Sequence, residues 1–267
     1  MLNFTANLSL LFTENTLIDR FRLARLAGFN AVEIQFPYSL SPVEIKNKLD
    51  KYDLKLVLFN VDAADLLQGG EGLACIPGKR DQFKQAVAQA VNYAELLKPE
   101  VINVLPGRCL DKKHLEHYLE TFKENLCFAV DSFAPLGIKT AFEAINTVDM
   151  PGFIIHSGPQ MLSVLHQLNC TELFMQYDIY HLYMMGENPE VFIAEYADKI
   201  AHIQFADYPG RGQPGTGRID FDRVFSTIEN SGYSGWVGAE YKPVGTTIDS
   251  LDWLKFGHRV HTETIIL

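Results

Sequence analysis

The chain has 267 residues, 47% of them hydrophobic, and its 23 basic and 33 acidic side chains give a formal net charge of −10. That length suits one α/β barrel better than a sandwich or two ordinary domains, and the acidic balance argues against a nucleic-acid-binding surface. No stretch approaches the roughly 20 apolar residues of a membrane span, and Cys75, Cys109, Cys127 and Cys170 form no CxxC pair, so reduced thiols in a cytoplasmic protein are expected.

The N-terminus lacks the basic start of a signal peptide, and FTANLSLLF (4–12) reads as a first strand. LIDRFRLARLAG follows with Leu17, Phe21, Ala24 and Leu26 on one helical face and Gly28 as a stop. AVEIQF (31–36) is a second strand. Ser41-Pro42-Val43-Glu44 then predicts a helix start, with an N-cap serine, a proline at the first position and a glutamate to close a capping box. LKLVLFN (54–60) is a third strand, and Phe83, Ala86, Val87, Ala90, Tyr93, Ala94 and Leu97 recur at helical spacing after it. VINVLP (101–106) precedes a long helix marked by Leu115, Tyr118, Leu119, Phe122, Leu126 and Phe133. IKTAFEA (138–144) is strand five, and Ser157-Gly158-Pro159-Gln160 opens its helix with a second capping-box pattern. Strands at 172–178, 201–207 and 236–241 alternate with helices at 189–199, 221–232 and 250–257.

Strand-helix alternation without a linker implies a parallel sheet, and eight units close a single (β/α)8 TIM barrel. The barrel is expected over residues 1–257, with a C-terminal tail at 258–267 packed outside it or disordered. An open doubly wound sheet is the alternative. The missing glycine-rich phosphate fingerprint after the first strand weighs against it and against a bound dinucleotide.

The C-terminal strand ends of such a barrel form its active face. Glu143, Asp178, Gln204 and Glu240 fall at the ends of strands five to eight, which aims four oxygen-bearing side chains at one mouth. Three carboxylates so placed raise each other's pKa unless a cation intervenes. An all-oxygen set suits a divalent Mg²⁺ or Mn²⁺ better than zinc. Taken one at a time, each acidic residue reads equally as a helix cap or salt-bridge partner.

His114, His117 and His166 lie in helical stretches, whereas His181, His202 and His156 can approach the mouth. His181, in DIYH, is a loop histidine that either bonds a backbone carbonyl or orients substrate. His202 points into the barrel one layer below Gln204, as a core histidine with its bonds satisfied. Lys242 shares a face with Glu240, to pair with it or hold an anion, and Arg108 in LPGRC is a similar anchor or surface salt bridge. Two glycine-rich loops, 208–220 and 69–80, are candidate lids or ordinary mobile loops.

FTANLSLLFTE, FAPLGIKTAFEAIN, QYDIYH, HIQFADYPGR and WVGAEYKP together resemble the hydroxypyruvate isomerase family, within the xylose-isomerase-like TIM barrels. The likeness runs from the first strand through Pro243. It implies that Glu143 and Glu240 are the proton donor/acceptor pair, and that Glu143, Asp178, Gln204 and Glu240 bind a Mg²⁺-type ion. Sugar-epimerase relatives often carry histidine at the Gln204 position, and the three-zinc endonucleases of the group need more histidines than this chain supplies. The implied activity is conversion of hydroxypyruvate to tartronate semialdehyde. A 2-dehydrotetronate isomerase, a neutral-ketose 3-epimerase and a non-catalytic binding barrel are the other readings. The expected partner is a small hydroxy-oxo acid substrate, and barrels of this kind often form homo-oligomers.

Overall fold

The computed structural model describes residues 1–256, so the expected tail at 258–267 lies outside the described residues. Eight strands close a barrel in sequential order: β1 (Asn3–Asn7), β2 (Ala31–Ile34), β3 (Lys55–Asn60), β4 (Val101–Val104), β5 (Lys139–Glu143), β6 (Leu173–Asp178), β7 (Ile200–Phe205) and β8 (Trp236–Ala239). Every neighbouring pair is parallel, and β8 returns to β1 through Phe4↔Val237 and its flanking pairs. Among the described residues, no helix is long and apolar enough to cross a membrane.

Helices α1 (Leu17–Leu26), α2 (Pro42–Tyr52), α3 (Arg80–Leu97), α4 (Leu115–Phe133), α5 (Gly158–Leu168), α6 (Ile179–Met184), α7 (Pro189–Tyr196) and α8 (Phe221–Asn230) connect the strands. Ser41 caps α2 with the full reciprocal box expected of its sequence. Ser157 caps α5 by accepting from Gln160, but the Gln160 side chain accepts from His156 N–H rather than closing the box. α6 was not expected: Asp178 accepts from the backbone N–H of Tyr180 and His181, and this cap turns the supposed loop into a short helix.

Side-chain alternation along the strands divides the interior into layers. Ala31, Val101, Ala141 and Phe174 line the floor, and two residues further along the same strands stand Glu33, Asn103, Glu143 and Gln176. The barrel is therefore apolar at its N-terminal end and polar at its C-terminal end. The larger apolar mass lies between sheet and helices, where Phe4, Phe205, Phe225 and Trp253 pack edge to face across β1, β7 and α8. Trp253 Nε1 donates to the Tyr241 hydroxyl at 3.0 Å, which ties the last described turn to the chain leaving β8.

Candidate active site

Each of the four expected oxygen-bearing residues reaches the barrel mouth. Glu143 and Asp178 end β5 and β6, Gln204 is the penultimate residue of β7, and Glu240 directly follows β8. Glu143, Asp178 and Glu240 are 4%, 1% and 4% exposed, so the cluster is desolvated as well as close.

The two glutamates share a design: amide groups saturate one oxygen of each. Asn103 Nδ2 and Gln176 Nε2 donate to Glu143 Oε2 at 3.1 and 2.9 Å. Asn7 Nδ2, Gln35 Nε2 and Gln204 Nε2 donate to Glu240 Oε1 at 3.0, 2.8 and 3.3 Å. Glu240 Oε2 instead meets Arg211 Nη2 at 2.5 Å. These amides fix the carboxylate planes and leave Glu143 Oε1 and Glu240 Oε2 as the chemically accessible oxygens. Burial, then Glu240 and Asp178, push Glu143 well above the ordinary carboxylate range. Burial also lifts Glu240, but Arg211 opposes it, and Glu240 stands at about 7. Arg211 opposes the rise at Glu143 as well, but of the two it touches only Glu240.

Asp178 divides its two oxygens between a helix cap and the site. Oδ1 caps α6, whereas Oδ2 is buried with no hydrogen-bond partner, 3.6 Å from His181 Nε2 and 3.6 Å from Arg211 Nη2. One ligand atom from each of Glu143, Asp178 and His181 lies within 4.8 Å of the others. A buried carboxylate oxygen without a partner, beside a second carboxylate, fits a divalent cation.

His181 is buried in α6 and makes its ring contact with a side chain, not with the backbone carbonyl considered from sequence. Asn146 Oδ1 accepts from the backbone N–H of Val148 and Asp149, so its Nδ2 is the atom facing His181 Nδ1, at 2.6 Å. Nδ1 is then an acceptor and Nε2 carries the ring proton toward Asp178 Oδ2. Burial lowers the imidazole to about 4, so the ring is a neutral donor near pH 7. The oxygen-only donor set expected from sequence gains this nitrogen as a neighbour, with its hydrogen aimed inward.

Arg211 is the residue sequence reasoning missed. It sits in the glycine-rich segment after β7 at a left-handed φ of 57°, sparsely populated for a side chain other than glycine. Asp207 sets the path of that segment by accepting backbone N–H groups from Tyr208, Gly215, Gly217 and Ile219 at 2.7–3.0 Å. Lys242 N–H donates to Arg211 O at 2.7 Å. The expected lid or mobile loop is thus a pinned support that carries the Arg211 guanidinium over Tyr180 and onto Glu240. Burial alone would lower the Arg211 pKa, but Glu240, Asp178 and Glu143 hold it above its usual value.

Two expected anchors lie elsewhere. Lys242 has an exposed side chain, and Glu240 pairs with Arg211 instead. Arg108 donates to the carbonyls of Pro151 and Gly69, knitting the 69–80 loop to the segment before α5. His202, as expected, is a core histidine, with Nε2 on Glu33 at 2.7 Å, although Nδ1 lacks a partner. Asn7, Glu33, Gln35, Asn103, Asn146 and Gln176 were also missed. Several carried the signal used for Glu143, a polar residue inside an apolar strand.

The family model described as "Xylose isomerase-like TIM barrel" matches residues 21–256. Hydroxypyruvate isomerase of Escherichia coli K12 is 42% identical over 95% of this chain and 98% of its own length. A 2-oxo-tetronate isomerase of Haemophilus influenzae is 34% identical over 96% and 99%. A crystal structure titled AP endonuclease, family 2, from Brucella melitensis superposes with a TM-score of 0.91 at 35% identity, covering 96% and 98% of the two chains.

Proposed function

The chain belongs to the xylose isomerase-like TIM barrel family and is a ketol isomerase, and we propose that it interconverts hydroxypyruvate and tartronate semialdehyde through proton transfer by Glu240 and Glu143. The observation that carries this reading is the pair of buried carboxyls with unlike contacts, Glu240 hydrogen-bonded to the Arg211 guanidinium and Glu143 to the amides of Asn103 and Gln176. Such a pair suits one base and one acid.

Glu240 Oε2 takes the proton from C3, the hydroxymethyl carbon, and the electron pair left behind forms the C2–C3 double bond of an enediolate. Glu143 Oε1 delivers a proton to C2, while the proton of the C3 hydroxyl passes to the C2 oxygen, leaving an aldehyde at C3 and a hydroxyl at C2. One C–H bond breaks, one forms, and no electrons leave the substrate. Glu143, Asp178, Gln204 and Glu240 would hold a divalent metal, Mg²⁺ or Mn²⁺. When bound, it polarises the substrate carbonyl and offsets the negative charge of the enediolate.

Arg211 is the cation best placed for the substrate carboxylate, and it takes the anchoring role considered for Lys242 and Arg108. His181 Nε2–H, held by Asn146, supplies a neutral donor to a substrate oxygen. The 34% identical 2-oxo-tetronate isomerase favours a four-carbon acid as the second reading, with the same proton transfers.

Proton NMR of Mn²⁺-depleted, Mg²⁺-loaded protein with hydroxypyruvate, 2-oxo-tetronate or a neutral ketose in separate tubes tests the assignment. An aldehyde signal forming fastest from hydroxypyruvate is expected. Turnover of the neutral ketose alone contradicts the proposal.

A further inference from the structure

Glu33 is a glutamate in the middle of β2, fully buried, and absent from the proton transfers described above. Three side-chain donors converge on it from two other strands, Asn7 from β1 and both His202 and Gln204 from β7. Asn7 Nδ2 and Gln204 Nε2 reach Oε1 at 2.9 and 2.7 Å, and His202 Nε2 reaches Oε2 at 2.7 Å. The barrel is shaped to receive it: a Cβ at Gly238, the residue paired with Gln204 in β8, would stand 2.4 Å from Glu33 Oε2.

A glutamine amide has two similar ends, and packing alone does not choose which end faces the site. Glu33 makes the choice chemically. Both of its oxygens act as acceptors, so the end of Gln204 that meets it is the NH₂. The Gln204 oxygen is left on the opposite side, where it accepts from Gln176 Nε2 at 2.6 Å, and the same nitrogen donates to Glu143 Oε2. Asn7 is fixed in the same sense, because its Oδ1 accepts from Ser9 N–H and its Nδ2 bridges Glu33 and Glu240.

We propose that Glu33 is a positioning residue that fixes the amide of Gln204 with its oxygen toward the Glu143–Asp178 cluster, making Gln204 an oxygen donor to a divalent cation there. The inference rests on the proposed metal site of that cluster. Removing the acceptor at position 33 leaves the Gln204 NH₂ with only its longer contact to Glu240 Oε1, at 3.3 Å, to keep it from turning toward the cation.

Two substitutions separate orientation from charge. Glu33→Leu removes both acceptors. Glu33→Gln keeps one acceptor for Asn7 and Gln204 and turns its NH₂ to His202, whose unpartnered Nδ1 can take the ring proton and leave Nε2 to accept. The readout is the Mn²⁺ dissociation constant by calorimetry on EDTA-treated, re-dialysed protein, with folding checked by circular dichroism.

Glu33→Leu is expected to weaken Mn²⁺ binding at least tenfold, in the range found when residues behind metal ligands are removed. Glu33→Gln should stay within about threefold of wild type, because it keeps an acceptor for the Gln204 amide. In a Gln204→Ala background the effect of Glu33→Leu should vanish. Equal losses in Glu33→Gln and Glu33→Leu, or a loss that persists without Gln204, would overturn the assignment.

If Glu33→Leu does not fold, neutron diffraction of wild-type crystals decides: deuterons on the Gln204 end facing Glu33 support it, and deuterons facing Glu143 overturn it. Wild-type protein that binds no Mn²⁺ refutes the metal site and this inference with it. Wild-type binding unchanged in a folded Glu33→Leu variant refutes this inference alone.

Discussion

Replacing Arg211 with methionine separates one electrostatic contribution from the rest of the site. Its guanidinium lies 2.5 Å from Glu240 Oε2 and 3.6 Å from Asp178 Oδ2, among carboxylates almost sealed from water. Burial raises Glu240 and Arg211 holds it back at about 7. Without the cation, the carboxyl keeps its proton to a higher pH.

A carboxyl whose pKa is raised on folding contributes stability that is fully present below its unfolded value and lost as pH rises through the folded one. From the unfolded value of 4.5 to about 7, metal-free wild type and variant lose stability in parallel. Above that, wild-type Glu240 ionises beside Arg211 and its loss ends, whereas the variant continues to lose roughly 1.4 kcal/mol per pH unit. The stability gap should therefore widen above neutrality, by at most roughly 1.4 kcal/mol per pH unit. Urea unfolding of EDTA-treated proteins at about pH 6, 7, 8 and 9 measures it. A constant offset from lost packing over Tyr180 is compatible with this reasoning, but a gap of the same size at all four values refutes it.

Glu143→Gln and Glu240→Gln should each lower kcat by roughly 10²–10⁴ while the circular dichroism spectrum is retained; near-full activity of either variant would remove the two-carboxyl mechanism. Asp207→Asn replaces Oδ2, the acceptor for Gly215 and Gly217, with an NH₂ group. It should destabilise the protein by roughly 2 kcal/mol and open the 208–219 segment to limited proteolysis, with loss of kcat/KM through Arg211. Lys242→Ala should leave KM for hydroxypyruvate within about twofold, since its side chain is exposed and Arg211 holds the position facing Glu240. Mn²⁺ should raise the melting temperature of wild type more at pH 8 than at pH 6, because ionised carboxyls bind it and burial opposes their ionisation.

The barrel was legible because its eight strands are apolar runs and β1 to β7 are each followed by an α-helix, whereas the helix expected at 250–257 is a 3₁₀ turn over Asp252–Phe256 among the described residues. β1 was expected to reach Phe12 but stops at Asn7, where Asn7 Oδ1 turns to Ser9 N–H and the chain leaves the sheet. The position of Glu143, Asp178, Gln204 and Glu240 at the mouth was legible because the C-terminal end of a barrel strand opens onto that face. The same rule covers Glu33 and Asn103, which stand inside their strands, but position alone did not distinguish them from core polar residues.

Arg211 had no local signal. Its place depends on four backbone hydrogen bonds to Asp207 and a left-handed residue, and none of these has a sequence period. His181 was misplaced in a loop because its helix is set by one side-chain cap, that of Asp178. Lys242 was considered because it is near Glu240 in sequence, whereas the loop path brings Arg211 against Glu240 in space.

The central claim is that Glu240 and Glu143 move a carbon-bound proton in both directions. Its most direct test is hydroxypyruvate in D₂O with Mg²⁺-loaded enzyme, followed by proton NMR of the C3 hydrogens. Wild type is expected to wash deuterium into C3 at a rate comparable with turnover, and Glu240→Gln to show no exchange under the same conditions. Undiminished C3 exchange in Glu240→Gln, or product formed by wild type with its C3 hydrogen carried intact to C2 and no solvent deuterium there, would contradict the mechanism.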